Sequence, residues 1–76
     1  MNYKHEFVPQ PEYCYYSIHS DTHSIESVWD WISESTEECY MYKARIVEHV
    51  TWVAQLPRGK ANTMFALRYS EHIDLL

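Results

Sequence analysis

The sequence predicts an α+β fold of order β-α-β-β, in which one amphipathic helix packs on a small antiparallel-rich sheet. Two hydrophobic periods indicate this class. One segment repeats at the three- and four-residue spacing of a helix, and segments on both sides of it alternate with the two-residue period of a strand. The chain has 76 residues, which suits a single domain spanning residues 1–76.

The chain begins with a polar segment, residues 1–11, in which Pro9 and Pro11 favour an extended entry to the domain. Residues 12–18 are rich in aromatic side chains and are typical of a strand. Alternation divides this strand between a core face and an opposite face: Cys14, Tyr16 and Ile18 against Tyr13, Tyr15 and Ser17.

A helix is predicted over residues 23–35, because Asp21 or Thr22 can accept a capping hydrogen bond at its start. Four apolar residues then recur at helical spacing: Ile25, Val28, Trp29 and Ile32. We expect this face to be buried against the sheet. Trp31 lies at the edge of the face, as a rim residue or an exposed anchor.

Residues 40–56 carry apolar side chains at even positions, which predicts a strand that is long for a single element. Glu48 interrupts the pattern, so we expect a bend or bulge over 47–49, or one strand shared between two neighbours. Residues 56–62 predict a turn. The alternation in 63–70 favours a returning strand, although Phe65 and Tyr69 also fit helical spacing, and 71–76 show no decisive pattern.

The formal net charge of −5 comes from one segment. Residues 20–38 contain six acids and no lysine or arginine: Asp21, Glu26, Asp30, Glu34, Glu37 and Glu38. The rest of the chain carries five acids and six bases. The charge is therefore a property of the predicted helix and its C-terminal flank.

Glu26, Asp30 and Glu34 are four residues apart, so they form a stripe spaced by about 6 Å along the helix. Like charges at this spacing destabilise a helix by about 0.2–0.5 kcal/mol per pair, and solubility does not require them. The spacing resembles that of successive phosphates on a nucleic-acid strand. The stripe thus predicts an acidic ridge that occupies a basic, nucleic-acid-binding surface on another protein. The alternative is an ordinary solvated helix face.

Twelve aromatic residues exceed what one small core can bury. A helix-on-sheet core needs few large side chains, for which the pattern selects Trp29, Trp52, Ile46 and Phe65. The remaining aromatics are expected at a partner surface beside the acids, since Tyr and Trp are common interface anchors. The predicted partner-binding residues are Glu26, Asp30, Glu34, Glu37, Glu38, Trp31, Tyr13, Tyr15 and Tyr40. Alternatively, half-buried tyrosine rings simply extend their hydroxyls to solvent, and free sheet edges support a homodimeric module.

Other functions have weaker support. Cys14, His19, His23 and Cys39 leave a small zinc-binding domain as an alternative, but their spacing lacks a C-x2-C knuckle, and neither metal nor cofactor is expected. With one glycine the chain cannot contain a nucleophile elbow or a phosphate-binding glycine loop, and no enzyme activity is expected.

Direct nucleic-acid binding is disfavoured because only Arg58 and Lys60 cluster among the bases. No apolar run approaches the roughly 20 residues of a membrane helix. The N-terminus lacks the apolar stretch of a signal peptide, so a cytoplasmic location is expected.

The strand 13–18, the capped helix with Ile25, Val28, Trp29 and Ile32, and the strand 44–47 together resemble small phage-encoded inhibitors of host proteins. These include many anti-CRISPR proteins and phage inhibitors of host RNA polymerase. The resemblance covers most of the chain as a pattern and carries over no individual functional residue. It implies a non-enzymatic, stoichiometric protein–protein inhibitor in the cytoplasm of a host cell.

Overall fold

A computed structural model describes residues 8–35 and 37–76. Its six elements follow the chain in the order β1 (Tyr13–Ile18), α1 (Thr22–Glu34), β2 (Tyr40–Ile46), β3 (His49–Pro57), α2 (Lys60–Arg68) and β4 (Ile73–Leu75). The α+β class is confirmed, but the order is β-α-β-β-α-β rather than β-α-β-β.

The predicted extended entry lies partly outside the described residues, which begin at Val8. In the described part, the amide of Tyr13 donates to the carbonyl of Gln10 over 3.2 Å, so the chain turns immediately before β1.

The four strands form one antiparallel sheet in the order β2-β3-β1-β4. Both helices lie on the same face of this sheet, where their side chains share a core with Tyr16, Ile18 and Leu56. The opposite face carries a smaller cluster built on Tyr15, Ala44 and Val53, and neither helix contributes to it. Among the described elements, helices thus cover one face of the sheet; we call the other, over which no described helix lies, the uncovered face.

The alternating stretch 40–56 is a hairpin, β2 and β3, closed by a two-residue turn at Val47 and Glu48. Ile46 pairs with His49, so even positions of β2 lie opposite odd positions of β3. The even residues consequently divide between the faces. Ile46 and Ala44 of β2 lie on the uncovered face, whereas Trp52 of β3 packs toward the helices. The predicted bend falls at the correct place but is a complete chain reversal.

The prediction of a strand over 63–70 is wrong, because these residues lie mainly in α2. Phe65 and Tyr69, the residue that caps the C-terminus of α2, are four positions apart and pack with ring centroids 5.2 Å apart. The alternation is coincidental, since Leu67 is 77% exposed. The chain turns at Arg58 and Gly59, inside the predicted range 56–62; Gly59 adopts φ +140°, and α2 rather than a strand follows from Lys60.

The second helix also changes which face of α1 is buried. Asp21 caps α1 as predicted, and Val28 and Ile32 are buried as predicted. However, the Trp31 ring packs 5.2 Å from Phe65 of α2, while Trp29 is 51% exposed. The assignment of Trp29 to the core is therefore wrong, because α2 draws the Trp31 side of α1 inward. Of the other predicted core residues, Phe65 is fully buried, and Trp52 is half-buried on the helix side of the sheet. Ile46 is half-buried on the uncovered face, so its assignment to the helix-on-sheet core is wrong.

Candidate protein-binding surface

The acidic stripe lies on the solvent side of α1. Glu26, Asp30 and Glu34 are all exposed, on the side of the helix away from the fully buried Val28. None of the three carboxylates forms an ion pair with a described residue. Within the described part of the chain, the stripe therefore presents negative charge that no ion pair neutralises, along two turns of the helix.

On one side of the stripe, an apolar groove of about 370 Å³ separates α1 from the hairpin. Its lining residues are Ile25, Glu26, Trp29, Asp30, Met41 and Trp52. The two carboxylates stand on the α1 side of an otherwise hydrophobic and aromatic surface. We name this feature the Trp29 groove.

On the other side of the stripe, a second groove of about 340 Å³ separates α1 from α2. Trp31 and Met64 provide its apolar surface, and Glu34 and Glu37 provide negative charge. Lys60 also lines this groove, so its electrostatic character is mixed. Because Trp31 is half-buried against Phe65, it acts as a wall of the groove rather than a free anchor.

The predicted tyrosines do not join this surface. Tyr13 packs with the uncovered-face cluster, and the alternation of β2 directs Tyr40, which is 47% exposed, to the same face. The prediction that Tyr15 is an exposed anchor is wrong, since it is 6% exposed and its hydroxyl accepts a bond from the amide of Gln10. The predicted set is thus divided between two faces of the sheet.

Glu38 belongs with the tyrosines rather than with the stripe. Its carboxylate accepts a hydrogen bond from the Tyr13 hydroxyl over 3.3 Å. Partial burial raises the pKa of Tyr13, and the neighbouring Glu38 carboxylate raises that pKa further.

A polar link joins the start of α1 to the segment before β4. The backbone amide and the hydroxyl of Ser24 each donate to the Asp21 carboxylate at 2.9 Å, and the Ser24 oxygen lies 2.7 Å from Nδ1 of His72. Since the hydroxyl proton points to Asp21, Nδ1 of His72 is the donor to Ser24. The two bonds from Ser24 lower the pKa of Asp21.

This trio of residue types also occurs in hydrolases, but Ser24 is only 2% exposed and its proton is directed to Asp21. The arrangement therefore caps a helix and anchors a strand instead of presenting a nucleophile. Sequence reasoning missed His72. The spacing of Asp21 and Ser24 identifies the cap but not its distant partner.

The candidate zinc ligands are held in different places. His19 pairs with Asp74 at 3.1 Å, and the His23 ring packs against His72. The Cys14 sulfur accepts a hydrogen bond from the Arg58 guanidinium over 3.5 Å, and the Cys39 sulfur lies 3.4 Å from the Ser35 hydroxyl. Across residues 8–35 and 37–76, no three His, Cys, Asp or Glu side chains converge to hold a metal ion. The geometry thus gives no support to a zinc domain built on these residues.

Of the predicted basic pair Arg58 and Lys60, Arg58 is engaged within the protein, because its Nε donates to the carbonyl of Pro11 over 2.6 Å.

Among the helices in the described part of the chain, none has the length and apolar character needed to cross a membrane.

No protein-family model, curated protein or solved structure matches this chain. The fold and surface by themselves define an α+β protein with a two-helix layer on an antiparallel sheet. Its distinguishing feature is an acidic helix face, without an ion pair to any residue that the structure describes, between two grooves lined in part by tryptophan.

Proposed function

We propose that this protein is a non-enzymatic, protein-binding inhibitor that covers a basic, nucleic-acid-handling surface of a host protein. One observation carries the proposal: Glu26, Asp30 and Glu34 form an exposed stripe that makes no ion pair with a described residue, and grooves containing tryptophan and methionine side chains run along both sides of it.

The two components of this surface contribute differently to binding. A row of carboxylates attracts a positively charged partner and speeds their encounter, but exposed charge pairs add little affinity. Affinity comes mainly from desolvated aromatic and aliphatic contacts near the centre of an interface. Trp29, Trp31 and Met64 lie beside the stripe and can provide these contacts. The surface therefore combines attraction with an apolar contact area.

The resemblance to small acidic phage inhibitors supports the same proposal. Such proteins act stoichiometrically, so they need a surface rather than a catalytic centre. We infer that the chain is of the anti-defence type, encoded by a phage or mobile element, and that its target normally binds nucleic acid.

The test is capture of proteins from host lysate by the tagged chain, with and without excess duplex DNA or RNA. We expect selective capture of a nucleic-acid-binding protein, and we expect added nucleic acid to displace it. The variant Glu26→Lys/Asp30→Lys/Glu34→Lys should lose this capture while keeping the circular dichroism spectrum of the parent.

A charge-matched control is available elsewhere on the surface. Glu12, Glu48 and Glu71 are all exposed, and replacing them with lysine gives the same net charge as the stripe variant. The control should retain capture of the same protein. Equal loss in both variants would mean that only net charge matters, and undiminished capture by the stripe variant would reject the proposal.

A second candidate function is a homodimeric structural or regulatory module. The uncovered sheet face favours it, because half-buried Tyr13, Tyr42 and Ile46 lie there without a helix above them. Light scattering over a concentration series tests this alternative. A dimer that Ile46→Lys converts to monomer would support it, whereas a monomer at all concentrations would exclude it.

A further inference from the structure

We propose that the Trp29 groove is an arginine-binding site, which receives an arginine side chain from a basic segment of the partner. This inference rests on the proposed function and specifies the chemistry of its contact.

The groove presents an aromatic surface that is accessible to a partner. Trp29 is 51% exposed, although it is among the largest apolar side chains of the protein. Trp52 and Met41 are half-buried and continue the same surface on the hairpin. An indole accepts a cation over its ring face better than the other aromatic side chains do. Two indoles therefore line a groove in which a cation can be held.

The negative charge of the groove determines which charge a bound side chain must carry. Glu26 and Asp30 are one helical turn apart on α1, and both line the groove. A purely apolar occupant would remove water from these carboxylates without pairing them, which is unfavourable. An anionic occupant would be repelled. A cationic side chain with an apolar stem satisfies both parts of the lining.

Arginine fits better than lysine. Its planar guanidinium stacks on aromatic rings and donates two parallel bonds to a carboxylate, whereas the lysine ammonium is a strongly hydrated point charge. The aliphatic stem of an arginine can lie along Ile25 and Met41 while its head reaches the acids.

Lys43 determines how the bound arginine side chain is oriented in the groove. Its ammonium lies 5.4 Å from the centre of the Trp52 ring, on the part of the hairpin that also lines a neighbouring cavity with Ile18 and Val50. A second cation avoids this end of the groove. The guanidinium therefore lies toward Glu26 and Asp30, at the α1 side.

The experiment uses the full chain and three capped peptides of equal length: an arginine–serine repeat, the lysine–serine repeat and the citrulline–serine repeat. Citrulline has the shape of arginine but no charge. Binding is measured by fluorescence anisotropy of the labelled peptide. The part of the tryptophan quenching that Trp29→Ala removes reports contact with Trp29, since the chain has three tryptophans. We expect the arginine peptide to bind more tightly than the lysine peptide, and the citrulline peptide to bind least.

Two variants probe the two parts of the groove. Trp29→Ala and Glu26→Gln/Asp30→Asn should each weaken arginine-peptide binding by about tenfold. The charge-matched control Glu48→Gln/Glu71→Gln, at exposed sites outside the groove, should change binding by less than about twofold. Since Trp29, Glu26 and Asp30 are exposed, these variants are expected to keep the fold, which circular dichroism checks.

Equal binding of the arginine and lysine peptides, or no effect of Trp29→Ala, would overturn the proposed arginine site. Either result would indicate non-specific electrostatic attraction between the peptide and the acidic surface. Absence of peptide binding would overturn the site as well. These failures can be distinguished from failure of the proposed function by the lysate capture experiment. If only the groove proposal is wrong, capture is lost in the stripe variant and unchanged in Trp29→Ala.

Discussion

Val47 is the one non-glycine residue with a positive φ in the part of the backbone that the structure describes. It has φ +58° and occupies the first position of the two-residue hairpin turn, where glycine is the residue best suited to a positive φ. A β-branched side chain is strained in this region. Its side chain is 85% exposed, so burial does not offset the strain. The absence of glycine or asparagine here explains why the sequence predicts a bend rather than a hairpin.

Replacing Val47 with glycine should raise the free energy of unfolding by about 1 kcal/mol, because relief of backbone strain exceeds the entropic cost of glycine. Urea denaturation followed by tryptophan fluorescence measures the change. The neighbouring substitution Glu48→Gly is the control, since Glu48 does not adopt a positive φ and should lose stability. A Val47→Gly variant less stable than the parent would contradict the strain argument.

At the scale of elements, α2 is the organising feature of the core. Phe65 is fully buried and contacts three other rings, those of Tyr16, Trp31 and Tyr69, with centroids 5.2–5.5 Å apart. These contacts determine the rotation of α1, and that rotation exposes Trp29. The groove proposed to bind arginine is thus a consequence of a helix that contributes no residue to it.

Phe65→Ala should lower the free energy of unfolding by about 3–5 kcal/mol, since a large buried ring is removed and a cavity is left. It should also shift the emission of Trp31, which loses its packing partner. Urea denaturation and fluorescence measure both effects.

Leu67→Ala is the matched control on the same helix. Because Leu67 is 77% exposed, this variant should remain within about 0.5 kcal/mol of the parent. Similar losses in the two variants would refute the assignment of Phe65 to the centre of the core.

At the scale of the whole molecule, β4 completes the sheet from the far end of the described chain. It has three residues and, among the described strands, pairs with β1 alone; the link from His72 through Ser24 to Asp21 precedes it. The His19 amide also donates to the His72 carbonyl over 2.9 Å. The C-terminal strand is therefore anchored to the start of α1 as well as by its own short pairing with β1.

Ser24→Ala should lower the free energy of unfolding by about 1 kcal/mol and accelerate amide exchange in β4. Ser33→Ala on the exposed side of α1 is the control and should leave that exchange unchanged. Unaltered exchange in β4 of Ser24→Ala would show that the link does not hold the strand.

The same link has a defined pH dependence. The folded-state pKa of Asp21 is lowered below 3.8, so its contribution to stability is fully present well above pH 3.8 and is lost as the pH falls through the folded pKa. The difference in unfolding free energy between the parent and Asp21→Ala should accordingly shrink in acid, in a denaturation series. A difference that stays constant down to the lowest accessible pH would contradict this.

Local sequence patterns determined much of the secondary structure, the fold class and the position of the charge. The capped helix and its acidic stripe, the first strand, the break near Val47 and the α+β class follow from hydrophobic period and charge spacing, which depend on residues close in sequence. The boundaries of α1 and of the hairpin are also near those predicted.

Tertiary structure decided what local patterns could not. Because the hairpin turn has two residues, the even-numbered residues of β2 and those of β3 lie on opposite faces of the sheet. Only the strand pairing shows this. The short alternation around Phe65 fits strand and helix equally, and packing against Tyr16 and Trp31 resolves it as helix. That packing half-buries Trp31 and exposes Trp29. On the other face of the sheet, Tyr15 is buried in the cluster with Ala44 and Val53. Which aromatic residues meet solvent depends on contacts between distant segments, and these contacts arise only when the whole chain is folded.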